Sequence, residues 1–275
     1  MRRRNNTSGV SGKLNENKAN QIIEYYNNSL TVLKKFYKEG EMEKVLNYME
    51  RKGKTTTKPL VMIGIFSDSS KVVTPGTYFD KEVRTEIEQK YREFFDAGNK
   101  FFDNYEKYKS YITAEDYKDD NWEKGNAIEQ ENIELYSKIS ELRSDIYSIL
   151  IPIADEAEKV TLVGNPLRDH ILKAKEIFAA MKAAIDEYAE EEVNADVIDI
   201  YYSQTEILVE EARELKPVDG EENKMRGYGE FLDEVDAFLG ELRKSKRDNK
   251  FDQRGFDRLM SEYDDAISIY NTFVS

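Results

Sequence analysis

Along most of this chain, apolar residues recur at alternating steps of three and four. That spacing puts them on one face of a helix, whereas a strand would need a step of two. The cleanest case is Ile128, Asn132, Leu135, Ile139, Leu142, Ile146 and Ile149, with Asn132 as a polar residue at a core-facing position, where it can fix register. Ile23, Tyr26, Leu30, Leu33 and Tyr37 form an earlier stripe, and Val83, Ile87, Tyr91, Phe94, Phe101, Tyr105, Tyr108 and Ile112 an aromatic one. After the Gly164-Asn165-Pro166 break come Leu167, Ile171, Ala174, Phe178, Met181, Ile185 and Tyr188, then Ile198, Tyr201, Thr205, Leu208, Ala212 and Leu215. Tyr228, Phe231, Val235, Phe238 and Leu242 follow, and Met260, Tyr263, Ile267, Tyr270 and Val274 close the chain. With 5 prolines in 275 residues, few positions forbid these helices.

The expected fold is therefore all-α: an elongated up-and-down bundle of about six to eight long helices, several of more than about 25 residues. At most a small β element is expected around residues 58–73, where a short β-branched run at 60–66 could pair with 71–73. Residues 1–12 are polar, with glycine and serine, and read as a flexible tether. Residues 13–275 read as a single helical-bundle domain. Thr77 is expected to cap the aromatic helix, Gly40 to bend the first one, and Pro152 to kink or end the heptad helix.

Net charge is −14. Residues 1–112 carry 21 basic and 15 acidic side chains, 113–192 carry 9 and 20, and 193–275 carry 11 and 20. Such an acidic body repels phosphate backbones, which argues against nucleic acid as a partner. There is no cysteine, hence no disulfide and no thiolate chemistry. No run approaches the roughly 18–20 apolar residues of a membrane helix.

Catalytic constellations are hard to assemble from this inventory. His170 is the lone histidine, so a Ser-His-Asp triad would have to use it, and a di-iron bundle needs two. Placed one turn into a helix, it reads as a surface or capping side chain. The cluster Asp116, Asp119 and Asp120 invites a calcium loop, but counting from Asp116 puts Asn121 at the glycine position and Ala127 at the glutamate position. No catalytic residue, metal site or cofactor is expected.

The run Asp116, Tyr117, Lys118, Asp119, Asp120, Asn121, Trp122, followed by Lys124 and Gly125, joins two long helical segments and holds the one tryptophan. It resembles the midpoint of the YiiG-like family of bacterial lipoproteins of unknown function, with weaker likeness over residues 20–33 and 256–273. The resemblance implies an all-α fold, an extracytoplasmic location and a lipid-anchored N-terminus. It carries no catalytic residues. This sequence lacks the leader and the lipid-accepting cysteine of such proteins, and both are expected upstream of Met1 in the native gene. The functional expectation is a binding or structural protein of the cell envelope whose partner is a protein, peptide or glycan. Two alternatives stand beside it: a hydrolase using buried carboxylates, and a cytoplasmic helical adaptor. The run itself is expected to be a structural corner pinned by Trp122.

Overall fold

The computed structural model describes residues 9–54, 58–59, 70–190 and 192–274. The fold is all-α: among the described residues there is no strand, only a single β-bridge between Val10 and Phe79. Two separate cores form, one within Met1–Thr161 and one within Leu162–Ser275. The single domain expected over 13–275 is thus two compact units, and the Gly164-Asn165-Pro166 break lies just past their junction at Thr161–Leu162. Gly164 takes a left-handed φ of +84°, and Asn165 accepts the Leu167 N–H at 2.8 Å.

The first unit is built from α1 (Glu16–Lys35), α2 (Glu39–Glu50), the single turn α3 (Ser70–Val73), α4 (Lys81–Ala114), the single turn α5 (Tyr117–Asp120) and α6 (Glu123–Thr161). Asn15 caps α1 by accepting the Lys18 N–H at 3.0 Å, and Asp80, not Thr77, caps α4 by accepting that of Val83 at 2.8 Å. The α4 stripe is the centre of this core: Tyr91, Phe94, Phe101, Tyr105 and Tyr108 are all at most 1% exposed. Against it α6 lays Ile128, Asn132, Ile139, Leu142 and Ile146, all buried. Asn132 donates to the Phe101 carbonyl of α4 at 3.1 Å, a buried polar contact that helps to fix the register of the two helices. Pro152 leaves α6 unbroken. It sits on the solvent-facing side, where water can satisfy the carbonyl that its missing N–H leaves free.

The first helix breaks not at Gly40, which lies inside α2, but at Tyr37, whose φ is +49°. That twist swings the Tyr37 ring onto α4, where its hydroxyl donates to the Phe95 carbonyl at 3.2 Å. Arg143 of α6 seals the break. It donates to the Tyr37 carbonyl at 2.8 Å, pairs with Glu39 at 2.6 Å, and places its guanidinium over Phe94.

Residues 9–12 are not a tether. Val10 is 7% exposed, the Asp80 N–H donates to Gly9, and the Ser11 N–H donates to Tyr78. A lone apolar residue a few positions ahead of α1 suffices to draw this strap into the core. The expected pairing partner at 71–73 is helical, not extended, while the expected strand at 60–66 lies outside the described residues.

The second unit comprises α7 (Arg168–Tyr188), α8 (Ala195–Arg213), α9 (Glu222–Arg247) and α10 (Gln253–Val274). α7 ends at Tyr188 and α8 starts at Ala195, and Asn194 caps α8 through the Asp196 N–H at 3.0 Å. Phe231, Phe238 and Phe273 are fully buried, and Phe178 of α7 meets Phe231, Tyr263 and Tyr270 within 6 Å. Glu241 of α9, 8% exposed, accepts Arg258 of α10 at 2.8 Å as well as Lys244, so its charge is paired where α9 crosses α10.

Candidate functional site

The corner between α4 and α6 is set by three left-handed residues. At the end of α4, Glu115 has φ +61°, its N–H reaches the Ile112 carbonyl, and the Asp116 N–H reaches that of Tyr111. This is a Schellman stop with a glutamate where glycine is usual. Lys118 ion-pairs back to Glu115. Asn121 and Trp122 then turn the chain with φ of +51° and +71°.

Asp120 holds the turn together. Its carboxylate accepts the Tyr111 hydroxyl at 2.6 Å, the Trp122 N–H at 3.0 Å and the Lys124 N–H at 3.2 Å. The Tyr111 hydrogen bond first, then those two N–H groups, hold the Asp120 pKa below its ordinary value. Burial and the same carboxylate push Tyr111 up to about 12. Gly125 is buried under Tyr111: a Cβ there would stand 2.8 Å from the ring. Trp122 is half-buried. It stacks on Tyr117 at 4.5 Å and 18°, meets Tyr111 edge-on, and carries the Lys52 ammonium 4.7 Å from its ring centre. Tyr117 and Lys52 thus both lie against the indole. Asp119, Asn121 and Lys124 point to solvent and Asp116 is half-buried. Of the nine family-like residues, the structure brings Tyr117, Asp120, Trp122 and Gly125 into one clamp.

His170, read from sequence as a surface or capping residue, is buried at 4% exposure. It shares the inward face of α7 with Ile171, Ala174 and Ile177, and packs edge-on against Tyr228 at 4.9 Å. Among the described residues neither its Nδ1 nor the Tyr228 hydroxyl has a hydrogen-bond partner. Burial lowers the His170 pKa, opposed by Asp169.

Two carboxylate groupings reach across helices. Glu234 of α9 with Glu262 and Asp265 of α10 have oxygens within 4.8 Å of one another, and burial followed by Glu234 and Asp265 raises the Glu262 pKa. In the first unit, Glu129 of α6 faces Glu50 across a cleft of about 180 Å³ that Leu46, Asn47 and Ile133 also line, and burial followed by Glu50 raises its pKa.

A wide opening follows the outer side of α8. It is a shallow groove of about 730 Å³ lined by Asp196, Asp199, Ile200, Ser203, Gln204 and Ile207. Ile200 and Ile207, two turns apart on this side of α8, are 62% and 55% exposed. The periodic stripe read from the sequence covers the inward face of α8 and leaves these two out. Their signal in the sequence is a pair of isoleucines seven apart that fall off that stripe.

Comparisons with known proteins agree with the division into two units. Residues 13–164 match the domain of unknown function DUF6845, and residues 166–268 match a DUF3829-like C-terminal domain. No functionally curated protein matches the chain. Among solved structures, an alpha-helical protein from Bacteroides fragilis is 30% identical, aligning over 92% of this chain and 98% of its own with a TM-score of 0.69. A DUF3829-like protein from Bacteroides thetaiotaomicron shares the fold, with 24% identity over 92% of this chain and 98% of its own and a TM-score of 0.63. The 13–164 match alone spans more than half of the sequence, and the chain belongs to the DUF6845 family of helical domains of unknown function, here followed by a DUF3829-like C-terminal domain.

Proposed function

We propose that this protein is a non-catalytic binding protein of the bacterial cell envelope, held outside the cytoplasm by an N-terminal lipid. The observation that carries the binding role is the α8 groove, where two large apolar side chains two turns apart stand in solvent among Asp196, Asp199, Ser203 and Gln204. The location rests on the likeness of residues 116–125 to YiiG-like lipoproteins. No helix among the described residues is long and apolar enough to cross a membrane, so this reading puts membrane attachment on the lipid.

The test is to express the native gene with its upstream sequence in its own host, then fractionate cells and feed labelled palmitate. Label in a membrane-fraction band of this protein supports the reading; unlabelled protein in the cytoplasm overturns the location. The hydrolase alternative draws on Glu262 and Glu129, the carboxylates with raised pKa. Hydrolysis of cell-wall or peptide substrates by the purified chain, lost in E262Q or E129Q, would replace binding with catalysis.

A further inference from the structure

α8 turns Ile198, Thr205, Val209 and Ala212 into the core of its unit, which leaves the opposite flank facing outward. Ile200 and Ile207 lie on that flank two turns apart, with the exposed Ser203 and Gln204 between them. Acidic residues bracket the strip: Asp196 and Asp199 on its N-terminal side, and the exposed Glu210, Glu211 and Glu214 beyond Ile207. Asp199 is neutralised by Lys246 and Glu211 by Lys173. Asp196, Glu210 and Glu214 make no ion pair among the described residues, so charge of one sign frames the apolar strip at both ends.

A seven-residue repeat brings side chains back to one side of a helix, so the shape that meets this strip along its length is another helix with apolar residues seven apart. A second copy of α8 satisfies the apolar contact but not the charge. Antiparallel pairing of Ile200 with Ile207 sets Asp196 against Glu211, beside Glu210, and parallel pairing sets each acid against itself. The surrounding sequence adds to the repulsion, since residues 193–275 hold 20 acidic against 11 basic side chains. We infer that the α8 groove docks a cationic amphipathic helix of a partner protein, its apolar residues on Ile200 and Ile207 and its Lys or Arg residues facing Asp196 at one end and Glu210 and Glu214 at the other. This deepens the binding role proposed above and rests on it, but not on the envelope location.

The full chain is titrated, by fluorescence anisotropy, against a labelled helical peptide of about five turns with leucines seven apart and lysines at both ends. Two control peptides carry glutamate in place of lysine or a scrambled leucine spacing. The expected result is binding of the lysine peptide that weakens as salt rises, about tenfold or more weaker binding by I200S/I207S, and little binding of either control. Both substitutions are on exposed side chains, so the double variant should melt with the wild type. The charge-reversed D196K/E210K keeps the apolar strip and should switch preference to the glutamate peptide. Equal binding by wild type and I200S/I207S, or no preference between lysine and glutamate peptides, overturns the inference. So does a concentration-dependent dimer in sedimentation that I200S/I207S dissolves, which would give the groove to a second copy. A cell-wall glycan fragment that binds wild type and not I200S/I207S, where the lysine peptide binds neither, overturns it as well. A chain that binds the peptide yet fractionates with the cytoplasm removes the envelope location and leaves the groove assignment standing.

Discussion

Gly98 in α4 and Gly240 in α9 are both helical glycines, and their surroundings ask opposite things of them. Replacing a helical glycine by alanine ordinarily stabilises by about 1 kcal/mol. At Gly240 nothing lies within 4 Å of an added Cβ, so G240A should raise stability by about that amount. At Gly98 the Cβ would land 2.2 Å from the Tyr37 ring, which is 4% exposed and held by its hydroxyl. Overpacking of this kind costs about 1–3 kcal/mol, so G98A should lower the melting temperature. Thermal melts of the two variants moving in the same direction would contradict this account of why Gly98 sits there. His170 makes a second residue-scale prediction. Its folded pKa lies below the value of about 6.5 that it regains on unfolding, because charging it would bury a cation beside Tyr228 with Asp169 as partial compensation. Its contribution is therefore complete above about pH 6.5 and is lost as pH falls through the folded pKa. H170F, which keeps an aromatic ring against Tyr228, should flatten the dependence of melting temperature on pH between about 5 and 7 relative to wild type. Parallel curves would show that His170 is not the titrating group.

At the scale of elements, the corner between α4 and α6 depends on one stack and one carboxylate. Removing the indole in W122A takes away a half-buried ring, the Tyr117 stack and the Lys52 contact, and should cost about 2 kcal/mol, short of the roughly 3–5 kcal/mol of a fully buried aromatic. Urea unfolding followed by circular dichroism measures it, and W122F should recover part of the loss. Asp120 has its pKa depressed in the fold, so its stabilising effect is present above the ordinary carboxylate pKa and disappears as acid carries pH through the folded value. D120N should show a shallower acid-unfolding curve than wild type. These contacts also show what could and could not be read beforehand. The helices were legible because the 3.6-residue period survives in any window long enough to hold two turns. Asn132 was legible as a buried polar residue for the same reason. The breaks were less so: Tyr37 ends α1 because its ring finds α4, a long-range contact with no local signature. Asp116, Asp119 and Asp120 look alike in sequence, and only the left-handed turns at Glu115, Asn121 and Trp122 single out Asp120. Val10, alone in a polar run, has no period to betray it. In α8 the inward stripe was clear, while Ile200 and Ile207 gain meaning only once that stripe is known to be buried.

The whole molecule is two cores, and periodicity is blind to that division because it reports which face of a helix is buried and not which helices share the burial. The stripes of α6 and α7 have the same 4-3 spacing on either side of the Thr161–Leu162 junction, yet they feed different cores. The domain-family boundaries at 164 and 166 fall within a few residues of the same point. The sole tryptophan offers a direct test, since Trp122 lies in the first unit and its fluorescence reports that unit alone. Circular dichroism sees the helices of both. Phe231 is fully buried among Phe178, Tyr228 and Tyr270 in the second core, and F231A should cost that core about 3–5 kcal/mol. In urea the dichroism of F231A should develop an early transition while the Trp122 fluorescence midpoint stays where it is in wild type. Each core would then be satisfying its own burial and entropy balance, which two-state analysis of the whole chain would conceal. If the fluorescence midpoint moves with the dichroism, the two units unfold as one cooperative body, and stability measured at Trp122 belongs to the entire chain.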